Sequence, residues 1–328
     1  AFRNSDSNGL PASASSYYSQ YQHDRYQVSL ILHLLQAKRV RFCSKSWWTR
    51  CDHYMDVIQL FQLYSDHLHR QLLPFWMKAA DRSLGGVYTC FDNEGSKLVS
   101  NHKYTWSQGR WLWLLARLAI DEQHELIYED RNELLRRATA TADFLKKHVL
   151  LDNGNCAYLL TDDGKPLEAF PGSGLDSSFY ADCFVVLGFA EYARAIRDES
   201  AVNWAYQRYE RIAERVSLHD LLCEPYPIPE GYRAHSVSMI MLNVSQVLAE
   251  ALQEFGHPGI QKVKRDMGLH LQEIMEIFLD AQTDTIRELI PEREQDHDTR
   301  LARHLNPGHA LECMWFVMDA AEALGQDD

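Results

Sequence analysis

The sequence predicts an all-α chain folded as a toroid of helical hairpins, and three features carry that expectation. Apolar residues recur at three- and four-residue steps over long segments, the spacing of a helix with one buried face. Strand-like stretches are short, and the clearest of them bracket Asp/Gly turns between helices. The helices come in pairs at a repeat of roughly 60 to 70 residues, the pattern of stacked hairpins in which each pair buries its apolar face against the next.

The elements follow in order. From Met55, the residues Ile58, Leu60, Phe61, Leu63, Leu68, Leu72, Leu73, Phe75 and Trp76 predict an amphipathic helix of about 25 residues, closed by Gly85-Gly86. Val87 to Phe91 and Lys97 to Val99 flank Asp92-Asn93-Glu94-Gly95 as a hairpin. A helix opens near Thr105 and carries Trp106, Arg110, Trp113 and Leu114. Another is expected from Arg131 to Leu150, and a second hairpin from Cys156 to Leu160 and Lys165 to Leu167 around Asp162-Asp163-Gly164. Helices over Ser177 to Ile196 and Ala201 to Ser217 come next. A proline-rich crossing, Pro225 to Pro229, leads to helices over Ser236 to Phe255 and Gly259 to Ala281. The last helix, Pro307 to Leu324, begins where Asn306 can cap and Pro307 supplies a preset φ without an N–H that the first turn would leave unpaired. The second, fourth, sixth and eighth helices form the inner ring. Arg110, Asp182, Met239 and His309 then fall near their N-terminal ends, at one mouth.

At 328 residues, with 46% hydrophobic and 24% charged residues, the chain has the composition of a soluble globular protein. A net charge of −13 argues against a nucleic-acid-binding surface, which needs clustered Lys and Arg. The seven cysteines (Cys43, Cys51, Cys90, Cys156, Cys183, Cys223 and Cys313) form no CxxC pair, so neither a zinc site nor a disulfide framework is indicated and a reduced, cytoplasmic setting is expected. No apolar run reaches the roughly 18 residues of a membrane-spanning helix, and the Ser-rich opening lacks a secretory signal pattern. Residues 1–54 stand apart, with seven Lys/Arg against three Asp. They read as an extension, a targeting peptide or sequence joined upstream of a natural start at Met55, the last being preferred, with low order expected before residue 40.

Chemistry concentrates in Asn306-Pro307-Gly308-His309-Ala310-Leu311-Glu312. His309 and Glu312 are three apart and share one helix face. An imidazole exchanges protons near neutrality, and a nearby carboxylate can orient it or act as a second acid/base. The competing reading is a polar helix start with Glu312 solvated. Arg110, among three tryptophans on an inner helix, is costly there unless it meets an anion or a polar ligand. Tyr104 and Trp106 are candidates for a stacking wall against a sugar ring, with barrel packing as the alternative. Asp182 reads more readily as a structural partner of a neighbouring helix. His297 and His304 beside Asp296 and Asp298 fit no metal-ligand spacing, so no metal is expected, and no phosphate-cradling glycine loop indicates a nucleotide.

Asn306 to Phe316, together with Tyr104-Thr105-Trp106-Ser107-Gln108-Gly109-Arg110-Trp111-Leu112-Trp113 and the block from Tyr180-Ala181-Asp182-Cys183-Phe184 to Glu191-Tyr192-Ala193, resembles the N-acylglucosamine 2-epimerase family over about residues 55 to 325. The resemblance implies an (α/α)6 barrel of twelve helices in six pairs. Only eight are countable here, so four helices, roughly 80 residues, are expected to be missing after Asp328, among them the one bearing the family's second catalytic His. It also implies that His309, Glu312 and Arg110 are catalytic, with Tyr104, Trp106, Met239 and Asp182 around a sugar. No cofactor is implied. The reaction would be proton transfer at C2, interconverting N-acylglucosamine and N-acylmannosamine type sugars. Two alternatives stand beside it: an aldose–ketose isomerase of the mannose type, and a catalytically inactive sugar-binding or interaction remnant. Isomerases of the family tend to carry a His where this chain has Ser238-Met239-Ile240-Met241, which leans toward the epimerase branch. His235 is the rival for the second acid/base, although a position just before a capping Ser is usual for a solvent-facing His. Apolar faces left uncovered by a shortened barrel favour association, a homodimer among the outcomes.

Overall fold

The structure, a computed structural model, describes residues 57–122 and 129–326. The boundary expected at residue 54 and the readings of residues 1–54 lie outside the described residues. These divide into two compact units, one of 57–79 with 90–100 and one of 80–89, 101–122 and 129–326.

The first unit holds helix α1 and one hairpin. α1 runs as Val57–His67, a π-helical stretch Leu68–Leu72, and Leu73–Ala79. Strands β1 (Cys90–Phe91) and β2 (Leu98–Ser100) pair antiparallel. Asp92 closes their turn: its carbonyl accepts from Gly95 N–H at 2.9 Å and its carboxylate from Ser96 N–H at 2.7 Å, the Asx arrangement that the Asp-Asn-Glu-Gly sequence predicts. Phe75 packs edge-on against Phe91, with ring centroids 5.2 Å apart.

In the second unit, helices α2 (Thr105–Glu122), α3 (Arg131–His148), α4 (Tyr180–Ile196), α5 (Glu199–Ser217), α6 (His235–Glu254), α7 (Ile260–Glu273) and α8 (Pro307–Leu324) follow one another. Packing sorts them into two rows: α2 lies on α4, α4 on α6 and α6 on α8, while α3, α5 and α7 each pack beside the preceding member of that row. This is the expected inner and outer arrangement of a hairpin toroid. Caps fix the starts. Asp130 accepts from Asn132 N–H ahead of α3, Asp198 from Ser200 N–H ahead of α5, and Asn306 from His309 N–H ahead of α8.

The inner row is tight because glycine makes it so. A Cβ on Gly109 of α2 would lie 2.3 Å from the Phe184 carbonyl oxygen of α4, and one on Gly188 would lie 2.5 Å from the Gly109 oxygen. Each helix therefore presents bare backbone to the other at the crossing. Strands β3 (Lys103–Tyr104), β4 (Leu159–Leu160) and β5 (Pro166–Leu167) form an antiparallel sheet in that order. Lys103 is fully buried, and its ammonium donates to Asp81 at 2.7 Å, to Gly85 O at 2.9 Å and to Asp162 O at 3.0 Å. Burial alone would raise the Asp81 carboxyl. The bonds from Lys103, Ser83 and Leu84 outweigh it and hold the group well below the usual carboxylate range.

Two departures from the sequence expectation matter for the site. The helix expected to reach Ala281 leaves α-geometry after Glu273, passes through a π turn over Ile274–Phe278 and becomes strand β7 (Leu279–Asp280), paired with β8 (Thr285–Ile286). Ile274 and Phe278 are drawn into a buried cluster with Met267, Leu271, Cys313 and Phe316, and this packing of α7 on α8 sets where the helix ends. Beyond it, where no element is expected from the sequence, β9 (Leu289–Pro291) pairs antiparallel with β6 (Tyr232–Ala234).

Candidate functional site

The site is assembled at the junction of β6, β9 and the start of α8. Register sets it: Ala234 pairs with Leu289, so the next residue after β6, His235, lies beside the residue before β9, Glu288, and His235 N–H donates to Glu288 O at 2.9 Å. Glu288 N–H donates in turn to His304 O at 3.1 Å, and Arg287 bridges to Leu305. That second link brings Asn306 and Pro307, and hence the first turn of α8, against the same strand.

The outcome is one carboxylate between two imidazoles. His309 Nδ1 lies 2.9 Å from Glu288 Oε1 and 3.1 Å from Oε2. His235 Nδ1 lies 3.8 Å from Oε2, too far for a hydrogen bond but close enough for a Coulombic interaction. Burial pushes the Glu288 carboxyl upward; the two imidazoles pull harder, and the group falls to about 2. His235 is 0% exposed, with its ring edge-on to Phe278 at 5.5 Å, so it is a core residue and not the solvent-facing His expected from its place before Ser236. The carboxylate that meets His309 is Glu288, 21 residues upstream; Glu312, the expected partner, is half-buried one turn further along α8.

The motif on α2 is legible residue by residue. Trp106 is 6% exposed and packs edge-on to Tyr158 at 5.4 Å, as does Tyr104 at the same distance. Trp106 is thus part of the packing, while Tyr104 keeps some exposure. Gln108 uses both ends of its amide on Val87, accepting from its N–H at 2.8 Å and donating to its carbonyl at 2.9 Å. Gly109 allows the close crossing with α4, and Arg110 then lies flat over Phe184, its guanidinium carbon 3.6 Å from the ring centre. One turn earlier on α4, the Tyr180 hydroxyl donates to Ser236 Oγ at 2.9 Å, next to His235. Contacts therefore run from Arg110 through α4 and the start of α6 to Glu288 and His309.

Two residues that the resemblance places around a sugar are buried. Asp182 is sealed inside, bonded to Arg215 Nη1 at 3.0 Å and to Cys156 N–H at 2.8 Å, and burial lifts its carboxyl to about 6 against the pull of Arg215. Its neighbour on that face is α5, the structural partnership that an Asp early in an inner helix admits. Met239 belongs to the buried cluster with Leu242, Cys313 and Phe316. Among the described residues no group of His, Cys, Asp and Glu could hold a metal ion, the five described cysteines are free and buried, and no helix is long and apolar enough to cross a membrane.

The two rows of helices and a histidine-bearing site at one end of the inner row define the chain as an α/α-toroid protein. The profile of the family described as N-acylglucosamine 2-epimerase (GlcNAc 2-epimerase) matches residues 86–328, and the chain belongs to that family. The bovine N-acylglucosamine 2-epimerase is 27% identical over 268 residues, covering 79% of this chain and 60% of the relative. The human enzyme of that name is 28% identical over 255 residues, covering 76% and 56%. The chain thus spans less than two thirds of the length of these relatives. Among solved structures, cellobiose 2-epimerase from Bacillus thermoamylovorans superposes with a TM-score of 0.64 at 18% identity, over 81% of this chain and 67% of that one, which shows a shared fold.

Proposed function

We propose that the chain is a sugar 2-epimerase acting on N-acylglucosamine and N-acylmannosamine type sugars, with His309 as an acid/base at C2. The observation that carries this reading is the pairing of His309 with an ionised carboxylate at the start of an inner helix, inside the stretch matched by the family. In the ring-opened sugar the C2 hydrogen lies beside the C1 aldehyde and is acidic. A base takes that proton, leaving an enolate whose negative charge is shared between the C1 oxygen and C2, with the N-acyl group still on C2. Return of a proton to the opposite face of C2 gives the 2-epimer; in a sugar with a hydroxyl at C2, such as mannose, return to C1 with loss of that hydroxyl's proton gives a ketose. Arg110, near the N-terminal end of α2, is assigned to the C1 enolate oxygen, and the N-terminal ends of α4, α6 and α8 add a favourable field for that charge. Glu312 is assigned to ring opening, on the helix face that carries His309. Tyr104 is assigned to the sugar ring. The substrate is a small molecule and not a nucleic acid, in a reduced, cytoplasmic setting that suits free cysteines. Leu311 and Met318 on α8 are 75% and 64% exposed, which supports association as a homodimer, testable by sedimentation.

Incubation of the chain with N-acetylmannosamine, N-acetylglucosamine and mannose in deuterated water, followed by proton NMR, tests the reading. Loss of the C2 proton signal with appearance of the 2-epimer is expected, and His309→Gln removes both. Fructose from mannose with the amino sugars untouched assigns the isomerase reaction instead. Entry of no deuterium at C2 of any sugar leaves only the sugar-binding or interaction remnant.

A further inference from the structure

We infer that Glu288 is the positioning residue for His309, and that His235, facing the other side of the same carboxylate, holds Glu288 in place. This rests on the reading of His309 as an acid/base and adds how that imidazole is set. Three observations lead to it. First, the backbone of Glu288 has no slack: its carbonyl accepts from His235 N–H at 2.9 Å and its N–H donates to His304 O at 3.1 Å, immediately before a paired strand. The side chain therefore departs from a fixed point. Second, both carboxylate oxygens lie within 3.1 Å of one ring nitrogen, His309 Nδ1. An ionised carboxylate only accepts, so that nitrogen carries a hydrogen, and in the neutral ring Nε2 carries the lone pair. His309 is thereby committed to one tautomer and to one direction from which it can take a proton.

Third, His235 is fully buried, and neither of its ring nitrogens has a hydrogen-bond partner among the described residues. A buried imidazole in that condition destabilises a core, where a Leu or Met of similar size would not. Its Nδ1 nevertheless points at Glu288 Oε2 from 3.8 Å. Being sealed, it does not touch a sugar. Its effect reaches the reaction only through Glu288, by keeping the second oxygen from rotating away from His309. The same constellation, an imidazole oriented on its far nitrogen by a buried carboxylate, is how acid/base histidines in unrelated enzymes are held in the productive tautomer.

The test uses the full chain labelled with nitrogen-15. Long-range proton–nitrogen correlation reports which ring nitrogen of His309 is protonated, with the signal assigned by its absence in His309→Gln. In the wild type the hydrogen is expected on Nδ1. In Glu288→Gln the amide can donate to Nδ1, and the hydrogen is expected to move to Nε2; in Glu288→Ala the ring is expected to take the mixture of a free imidazole. His235→Gln gives a partial loss of the Nδ1–H form. In C2 deuterium exchange Glu288→Gln is expected to lower kcat by about 10²- to 10⁴-fold with KM little changed, the scale of a misoriented acid/base. Retention of the Nδ1–H form in the folded Glu288 variants overturns the inference, as does an unchanged kcat. The tautomer is read without turnover, so a wild type that exchanges no deuterium sinks the acid/base reading alone and leaves the positioning by Glu288 to be decided by the spectra.

Discussion

Glycine 109 gives the sharpest stability test. A Cβ there would lie 2.3 Å from Phe184 O, 2.4 Å from its carbonyl carbon and 2.9 Å from Val185 N, all backbone atoms that no rotamer change can move. Ordinary contact needs 3.4 Å or more, so in Gly109→Ala the two inner helices must part by about 1 Å. Overpacking of a tight core costs about 1–3 kcal/mol, and with rigid backbone on both sides the upper end applies. For a unit of this size that corresponds to a fall in Tm of about 6–12 °C. Gly268 in α7 is the control: an added methyl would meet only Leu324 Cδ1, at 3.8 Å, with no positive φ to forbid it. There Gly268→Ala removes backbone freedom from the unfolded chain and is expected to add about 0.5–1 kcal/mol. Thermal melts followed by far-UV circular dichroism compare the two. Opposite signs are expected, and a Gly109→Ala melt at or above the wild type would refute the close crossing and with it the placement of Arg110 over Phe184.

Three further outcomes are expected. Asp182→Ala strands a buried guanidinium at Arg215 and should cost about 3–5 kcal/mol in urea denaturation, whereas Asp182→Leu with Arg215→Met should recover most of that loss; an Asp182 that held substrate would raise KM and leave stability intact. Glu288 is depressed from 4.5 to about 2, so its contribution of about 3 kcal/mol is present above pH 4.5 and is lost as the pH falls through 2. The stability difference between wild type and Glu288→Gln should therefore narrow on acidification across that window, and a constant difference would remove the ionised pair. Lys103→Met leaves Asp81 buried without its cation and should destabilise by a few kcal/mol, with Asp81→Asn in the same chain restoring part of it, again by denaturant titration.

Much of this is legible in the sequence. Asn306-Pro307 announced the start of α8, and the Asp-Asn-Glu-Gly run announced its hairpin, because caps and tight turns are decided by the residues that form them. Inner and outer rows followed from helix order. The partner of His309 did not. Local helix geometry offers Glu312 at three residues' distance, while Glu288 reaches the ring through strands of three residues each, paired across nearly sixty positions. Such pairings leave little periodicity to detect; the one available sign was Thr285-Ile286 followed by Leu289-Ile290-Pro291, β-branched and apolar residues within an otherwise charged stretch. Asp182 and Met239 were placed on the right helices but on buried faces, because α4 and α6 are apolar almost all round and sequence gives no phase for such helices.

The pairing of Arg287 with Leu305 and of Glu288 with His304 closes off the excursion between them. Its length is thereby uncoupled from the histidine pair: residues could be added or removed between positions 292 and 303 and the knot at its base would still deliver α8 to the same place. A lineage could lengthen or shorten that excursion while leaving His309 and Glu288 where they stand.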